Sequence, residues 1–238
     1  MASLNQRFRV TAKDLLFSPF FTIRFLLYKY IKKNSLKLTG DLLDFGCGTK
    51  PYKHLFTHVK SYTGVDFEGG GNPYDKPDVD VFYDGSNIPF ENDHFDSVLA
   101  TEVFEHIFNI DTILEELNRV LKPGGKMLLT CPFLWPEHEQ PWDYARYSSF
   151  GIKSLLERHG FGIVIQQKTG NFILCLNQLT VLYIYYMIPK IPVLYELLYF
   201  VLTLPFNLIT LLLNLVLPAK IKRKDLYLNN VVVVEKKG

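Results

Sequence analysis

Three cysteines in 238 residues, Cys47, Cys131 and Cys175, with no Cys-x-x-Cys pair, leave too little for a disulfide framework or a cysteine-based zinc site. A reducing compartment and no metal are therefore expected. Charge of one sign is also missing. Twenty-six Lys/Arg against 24 Asp/Glu give a net of +2, without the polycation signature of a nucleic-acid binder, so no nucleic-acid partner is expected. Repeats and low-complexity tracts are absent, and 48% hydrophobic with 21% charged residues excludes disordered and collagen-like chains in favour of one globular core. A secretory signal is missing too, because Pro19 and Arg24 break the first apolar stretch, and the N-terminus is expected to stay in the mature protein.

What is present is unevenly distributed. Residues 1–40 hold eight Lys/Arg against Asp14 alone, a net of +7, leaving eighteen basic against 23 acidic residues, −5, for the remainder. In that basic region Ser18 and Pro19 read as cap and first position of a helix. Phe20, Ile23, Leu27 and Ile31 then share one face, with Lys29, Lys32 and Lys33 off it. Short apolar runs follow at 42–45, 62–65, 79–83, 95–100, 126–131 and 161–167, with 231–234 as a last strand of four valines. Helical patterns fall between them: Val103 to Leu121, stopped by Pro123-Gly124-Gly125, and Phe150 to His159, capped by Ser149. Alternation of this kind predicts a doubly wound α/β fold on a parallel sheet.

The segment Asp44-Phe45-Gly46-Cys47-Gly48-Thr49-Lys50-Pro51-Tyr52 follows the first strand, where paired glycines let backbone approach a ligand. Pro51 stands where a nicotinamide fingerprint wants its third glycine, so a standard dinucleotide loop is excluded. Asp66, 18 residues past Gly48 at the end of the second strand, is placed either to accept bonds from ribose hydroxyls or as a surface loop acid. Further along come Asp84-Gly85, Ile88-Pro89-Phe90, Phe95-Asp96-Ser97-Val98, Glu102-Val103-Phe104-Glu105-His106 and Leu121-Lys122-Pro123-Gly124-Gly125. In this order the segments resemble class I S-adenosylmethionine-dependent methyltransferases, most closely the broad group with a Glu-His helix start, over residues 40 to 168 plus the last strand.

The resemblance implies a seven-stranded Rossmann-like sheet with S-adenosyl-L-methionine as cofactor. Asp44, Gly46 and Gly48 would frame its methionine moiety, Asp66 its ribose, Asp84 and Gly85 its adenine, and Glu102 would sit at the mouth of the fourth strand. Two departures stand out. About a dozen residues separate Asp66 from Val79, including Gly69-Gly70-Gly71 and Pro73, so a loop is expected where the family has a helix. About sixty residues separate the sixth and seventh strands, which in the family form an antiparallel hairpin.

Beyond the fifth strand lie Pro132, Glu137, His138, Glu139, Pro141, Asp143, Tyr144, Arg146 and Tyr147, in the loop that covers the acceptor side in this family. His138, Asp143 and His106 are the candidate catalytic residues, for an acceptor hydroxyl needs a base, histidine first and carboxylate second. The alternatives are that Asp143 and Arg146 pair structurally, that His138 is merely exposed, and that His106 is structural. The insertion carries two charges, Lys190 and Glu196, between residues 171 and 219. Asn177 and Gln178 interrupt its first apolar run, and Glu196, Pro205, Asn207 and Asn214 its second. Both ends join one sheet, so a hairpin or interfacial helices are permitted and a single crossing is not. The expected organisation is a basic helical region at 1–40, a methyltransferase domain at 41–170 and 226–238, and a membrane-associated apolar helical insertion at 171–225. The expected function is methyl transfer to a small-molecule, lipid, quinone or lipid-linked glycan acceptor at the cytoplasmic face of a membrane. Its rivals are a soluble enzyme forming a homodimer through the insertion, the insertion as a lid, and a non-catalytic cofactor-binding scaffold.

Overall fold

The computed structural model describes residues 14, 18–69, 78–189, 191, 194–218 and 220–238. The helix α1 (Phe21–Ser35) precedes β1 (Asp41–Phe45), β2 (Ser61–Phe67), β3 (Val81–Tyr83) and β4 (Phe95–Thr101). After these come α2 (Ile110–Val120), β5 (Leu121–Pro132), α3 (Ser149–Arg158), β6 (Phe161–Lys168), α4 (Phe172–Met187), α5 (Leu194–Val216) and β7 (Asn229–Lys236). They build one seven-stranded sheet of order β3-β2-β1-β4-β5-β7-β6. It is not wholly parallel: β7 runs antiparallel to both β5 and β6. The mixed sheet replaces the parallel one expected from strand–helix alternation, because β6 and β7 are joined without a crossover back along the sheet.

Both faces are covered, and this explains the unbroken valine run of β7. Val232 and Val234 pack with Leu43, Phe45, Val98 and Leu129 under α2 and α3. Val231 and Val233 face the other way with Leu42, Leu99 and Leu128, beneath Ile23, Leu27 and Ile31 of α1. The apolar stripe of the basic helix is thus core, and Lys29, Lys32 and Lys33 stay exposed.

Several boundaries move. Ser18 Oγ accepts from Phe20 N–H at 3.3 Å, but Phe20 holds the cap position of α1 and Pro19 lies before it. Ser148, not Ser149, caps α3, accepting from Gly151 N–H at 3.1 Å. The Val103–Leu121 helix is split into a single 3-10 turn, Phe104–His106, and α2. It ends before Pro123, since Leu121 already pairs with Phe95. Gly70, Gly71 and Pro73 of the expected loop lie outside the described residues.

The topology fixes where the insertion goes. β6 ends and β7 begins at the edge of the sheet where β1, β4 and β5 end. The helices α4 and α5 therefore rise from the same edge as the glycine loop. They pair antiparallel through Asn171 Nδ2 to Asn214 Oδ1 (2.9 Å) and Asn177 Nδ2 to Asn207 Oδ1 (3.0 Å). Gln178 is buried against α1, donating to Pro19 O at 2.6 Å and accepting from Ile23 N–H at 3.3 Å. Asn177, Gln178, Asn207 and Asn214, which interrupted the apolar runs, turn inward, and among the described residues eleven large apolar side chains of α5 stay exposed. The stretch Leu197–Val216 is long and apolar enough to cross a bilayer.

Candidate functional site

The carboxyl edge opens into a cavity of about 830 Å³. Gly46 and Gly48 turn at φ +68° and +51°, conformations that disfavour a Cβ, and a Cβ on Gly46 would come within 2.3 Å of Val103. Asp66 closes this loop from the second strand: its Oδ2 accepts from Gly48 N–H at 2.7 Å and its Oδ1 from Phe67 N–H at 2.8 Å. Burial raises the Asp66 carboxyl above its usual range despite those bonds. Asp84 accepts from the N–H groups of Ser86 and Asn87, both at 2.8 Å, and so holds the turn at Gly85, where φ is +89°.

Gly46, Asp66, Asp84, Gly85, Glu102, His106 and His138 border the cavity, whereas Asp44 and Asp143 stand behind it. Asp44 is buried beneath the loop, accepts from Tyr62 Oη at 2.5 Å, and is pushed up to about 7 by burial. Gly48 too lies off the cavity wall, its N–H given to Asp66. Glu102 follows β4 in a left-handed conformation, φ +52°, uncommon outside glycine and typical of functional sites. Its N–H reaches Thr130 O at 3.0 Å, its Oε2 accepts from Asn229 Nδ2 at 2.7 Å, and burial lifts its carboxyl to about 7.

Across the cavity the loop after β5 folds back onto the 3-10 turn, Tyr144 N–H donating to Glu105 O at 2.8 Å. Arg146 clamps both oxygens of Asp143, at 2.5 and 2.6 Å. Burial opposes ionisation of Asp143, but these bonds hold its carboxyl below the usual range. Asp143 Oδ2 in turn receives His138 N–H at 2.9 Å and lies 3.2 Å from His138 Nδ1. His106 donates from Nδ1 to Trp142 O at 2.8 Å, since a carbonyl can only accept, and this leaves Nε2 as a lone pair. The two imidazoles meet edge to face at 4.7 Å. Burial, and after it the neighbouring His106, push the His138 pKa below the usual imidazole value.

Residues 43–129 match the family model described as a methyltransferase domain. Over these residues the chain carries a methyltransferase domain. A phthiotriol/phenolphthiotriol dimycocerosates methyltransferase 1 from Mycobacterium ulcerans is 35% identical over 105 residues, 40% of this chain and 39% of the relative. A ubiquinone/menaquinone biosynthesis C-methyltransferase from Shewanella sp. (strain ANA-3) is 42% identical over 134 residues, 48% of this chain and 53% of the relative. The chain thus spans about half or less of the length of the curated relatives it matches. A Mesorhizobium loti S-adenosylmethionine-dependent methyltransferase structure has a TM-score of 0.51 at 12% identity, covering 92% of this chain and 98% of that one. A (4+2)-cyclase reaches 0.54 at 16% identity over 90% and 82%, which shows that the fold alone does not choose the reaction.

The methyltransferase domain fits S-adenosylmethionine on its own geometry: a glycine cradle closed by Asp66 and a separate turn held by Asp84 open onto one cavity. Three partners of the methyltransferase site were missed by sequence reasoning. Tyr62 reaches Asp44 across neighbouring strands, Asn229 reaches Glu102 from 127 residues away, and Glu105 lies unpaired beneath both histidines. Only Glu105 had a signal, its place inside the Glu-His segment.

Proposed function

We propose that this methyltransferase domain transfers a methyl group from S-adenosylmethionine to the polar end of a lipid-borne acceptor while the hairpin α4–α5 lies in a membrane surface. One observation carries the reading. The cavity shared by the glycine loop and the histidine pair is also bordered by Tyr186 of the hairpin and by Phe20 and Arg24 at the start of α1, so its mouth opens where the apolar helices lie. The relatives, a ubiquinone/menaquinone biosynthesis C-methyltransferase and a dimycocerosates methyltransferase, support a quinone or lipid acceptor.

The cofactor supplies an electrophilic methyl on a sulfonium; the chain supplies alignment, a dry wall and a place for a proton. Asp66 and Asp84 with Gly85 are assigned to the ribose and adenine, and Gly46 lets backbone approach the methionine end. Asp44 and Gly48 hold that loop from behind. A hydroxyl acceptor held against that methyl would receive it on its oxygen, the C–S electron pair staying with sulfur. The hydroxyl proton passes to the lone pair of His138 or His106, Asp143 holding His138 in place.

Membrane contact rests on the hairpin's polarity. Returning the exposed half of each of its apolar side chains to hydrocarbon gains roughly 1 kcal/mol per side chain before ordering costs. Cys175, Gln178 and the ring of Tyr185, which meets Phe20 at 5.8 Å, keep α4 against α1, so the hairpin lies along the domain and enters a surface sideways. Lys33, Lys168 and Lys224 share a cleft close to its foot, suited to anionic headgroups and repelling a like-charged second copy. The test is lipid mass spectrometry of membranes incubated with the full chain and S-adenosylmethionine. A species heavier by one methylene is expected; an unchanged lipid profile beside a methylated water-soluble product would favour the soluble enzyme, and cofactor binding without any product the scaffold.

A further inference from the structure

Glu105 is fully buried, and neither oxygen of its carboxylate has a hydrogen-bond partner. Such a group demands an explanation, since an uncompensated buried carboxylate is among the costliest features a fold can hold. What surrounds it is specific. Its Oε1 lies 3.7 Å from His106 Nε2 and 3.9 Å from His138 Nε2, too far for hydrogen bonds and close to the separation of neighbouring ligands around a metal ion. One ligand atom from each of the three residues falls within 4.8 Å of the others.

One ring is already oriented for that role: His106 gives its Nδ1 proton to Trp142 O, the outer hydrogen bond that turns Nε2 of an imidazole toward a metal, while His138 Nδ1 lies 3.2 Å from Asp143 Oδ2 and 3.4 Å from Arg146 Nη2. A fourth ligand atom is near, Glu139 Oε2 at 3.9 Å from His106 Nε2. His106, His138 and Glu139 border the cavity, so a cation here would keep positions open toward it.

We propose that Glu105, His106 and His138 form a binding site for a divalent transition-metal ion, with Glu139 as a further ligand. Two imidazoles and one or two carboxylates suit zinc, manganese, iron(II) or cobalt(II) better than magnesium or calcium. Binding itself is independent of the proposed function; its use rests on that reading and changes the agent that activates the acceptor. An acceptor hydroxyl on the ion would lose its proton to water, and the two imidazoles would serve as ligands in place of bases.

The experiment loads the chelator-treated full chain with cobalt(II) and follows its visible absorption, alongside calorimetric titration with zinc and, separately, with S-adenosylmethionine. One equivalent of metal is expected, with an absorption band that disappears in Glu105→Gln and His106→Ala. His138→Ala should weaken zinc binding at least tenfold, while all three variants keep cofactor affinity as a sign of intact folding. Absence of stoichiometric metal in the wild-type chain, or binding undiminished in the folded variants, would overturn the site and leave the histidines as bases. Stoichiometric metal with no methylated product in any extract would keep the site and overturn the proposed function instead.

Discussion

Around the glycine loop polar side chains converge on a cavity and clamp backbone, whereas in the hairpin they turn inward and clamp each other. Asp66 and Asp84 each hold two backbone N–H groups at 2.7–2.8 Å. Asn171, Asn177, Gln178, Asn207 and Asn214 bond between helices or to the start of α1, and the outer face of α5 is left to Leu, Ile, Val and Phe. The first arrangement presents charge to a ligand; the second removes polarity from a surface. The same residue types thus do opposite work according to which side of the backbone they occupy.

The largest effects should come from the wall between the two regions. His138→Ala should lower turnover by about 10²- to 10⁴-fold with cofactor affinity preserved, as measured by initial rates and calorimetry. Near-normal turnover would return His138 to a structural role. Next is the cofactor side. Asp66→Ala removes a charged acceptor that also ties down Gly48, and cofactor affinity should fall at least tenfold, about 1.4 kcal/mol or more. Unchanged affinity in the folded variant would break the contrast, because the glycine region would then be scaffold as the hairpin interior is.

The smallest effect concerns Asp44. Its pKa is raised from 3.8 to about 7, so the folded state holds its proton longer than the unfolded chain. Its contribution to stability is full below pH 4 and is lost as pH rises through about 7. Asp44→Asn cannot ionise and keeps an acceptor for Tyr62. Its melting temperature should therefore gain on the wild type between pH 5 and 8, by about 2–4 °C for each kcal/mol in a chain of this size. A difference that does not change with pH would mean that Asp44 is ionised in the folded state.

The glycine loop, Asp66 and the Glu-His segment were legible in the sequence because each is a local pattern set by strand ends, and six of the seven strands fell within two residues of their observed bounds, whereas β5 begins five residues earlier than expected. What escaped was long-range. The antiparallel insertion of β7 between β5 and β6 follows from where the chain returns, and the Asn229–Glu102 bond spans that return. The asparagines of the insertion were read as interruptions of apolar runs, since a linear sequence does not show that α4 and α5 face each other across them. Glu105 was visible as a letter, but its burial against two histidines depends on the loop after β5 folding back onto the 3-10 turn.

The measurement closest to the central claim combines both regions. Full chain and a variant with Leu208→Lys and Leu212→Lys, two exposed positions of α5, are each given methyl-labelled S-adenosylmethionine and isolated membranes, followed by organic extraction and cofactor calorimetry. Label in the lipid phase is expected with the wild type, and its loss at unchanged cofactor affinity with the variant. Equal lipid labelling by both chains, or label confined to the aqueous phase, would contradict delivery of the acceptor from the membrane.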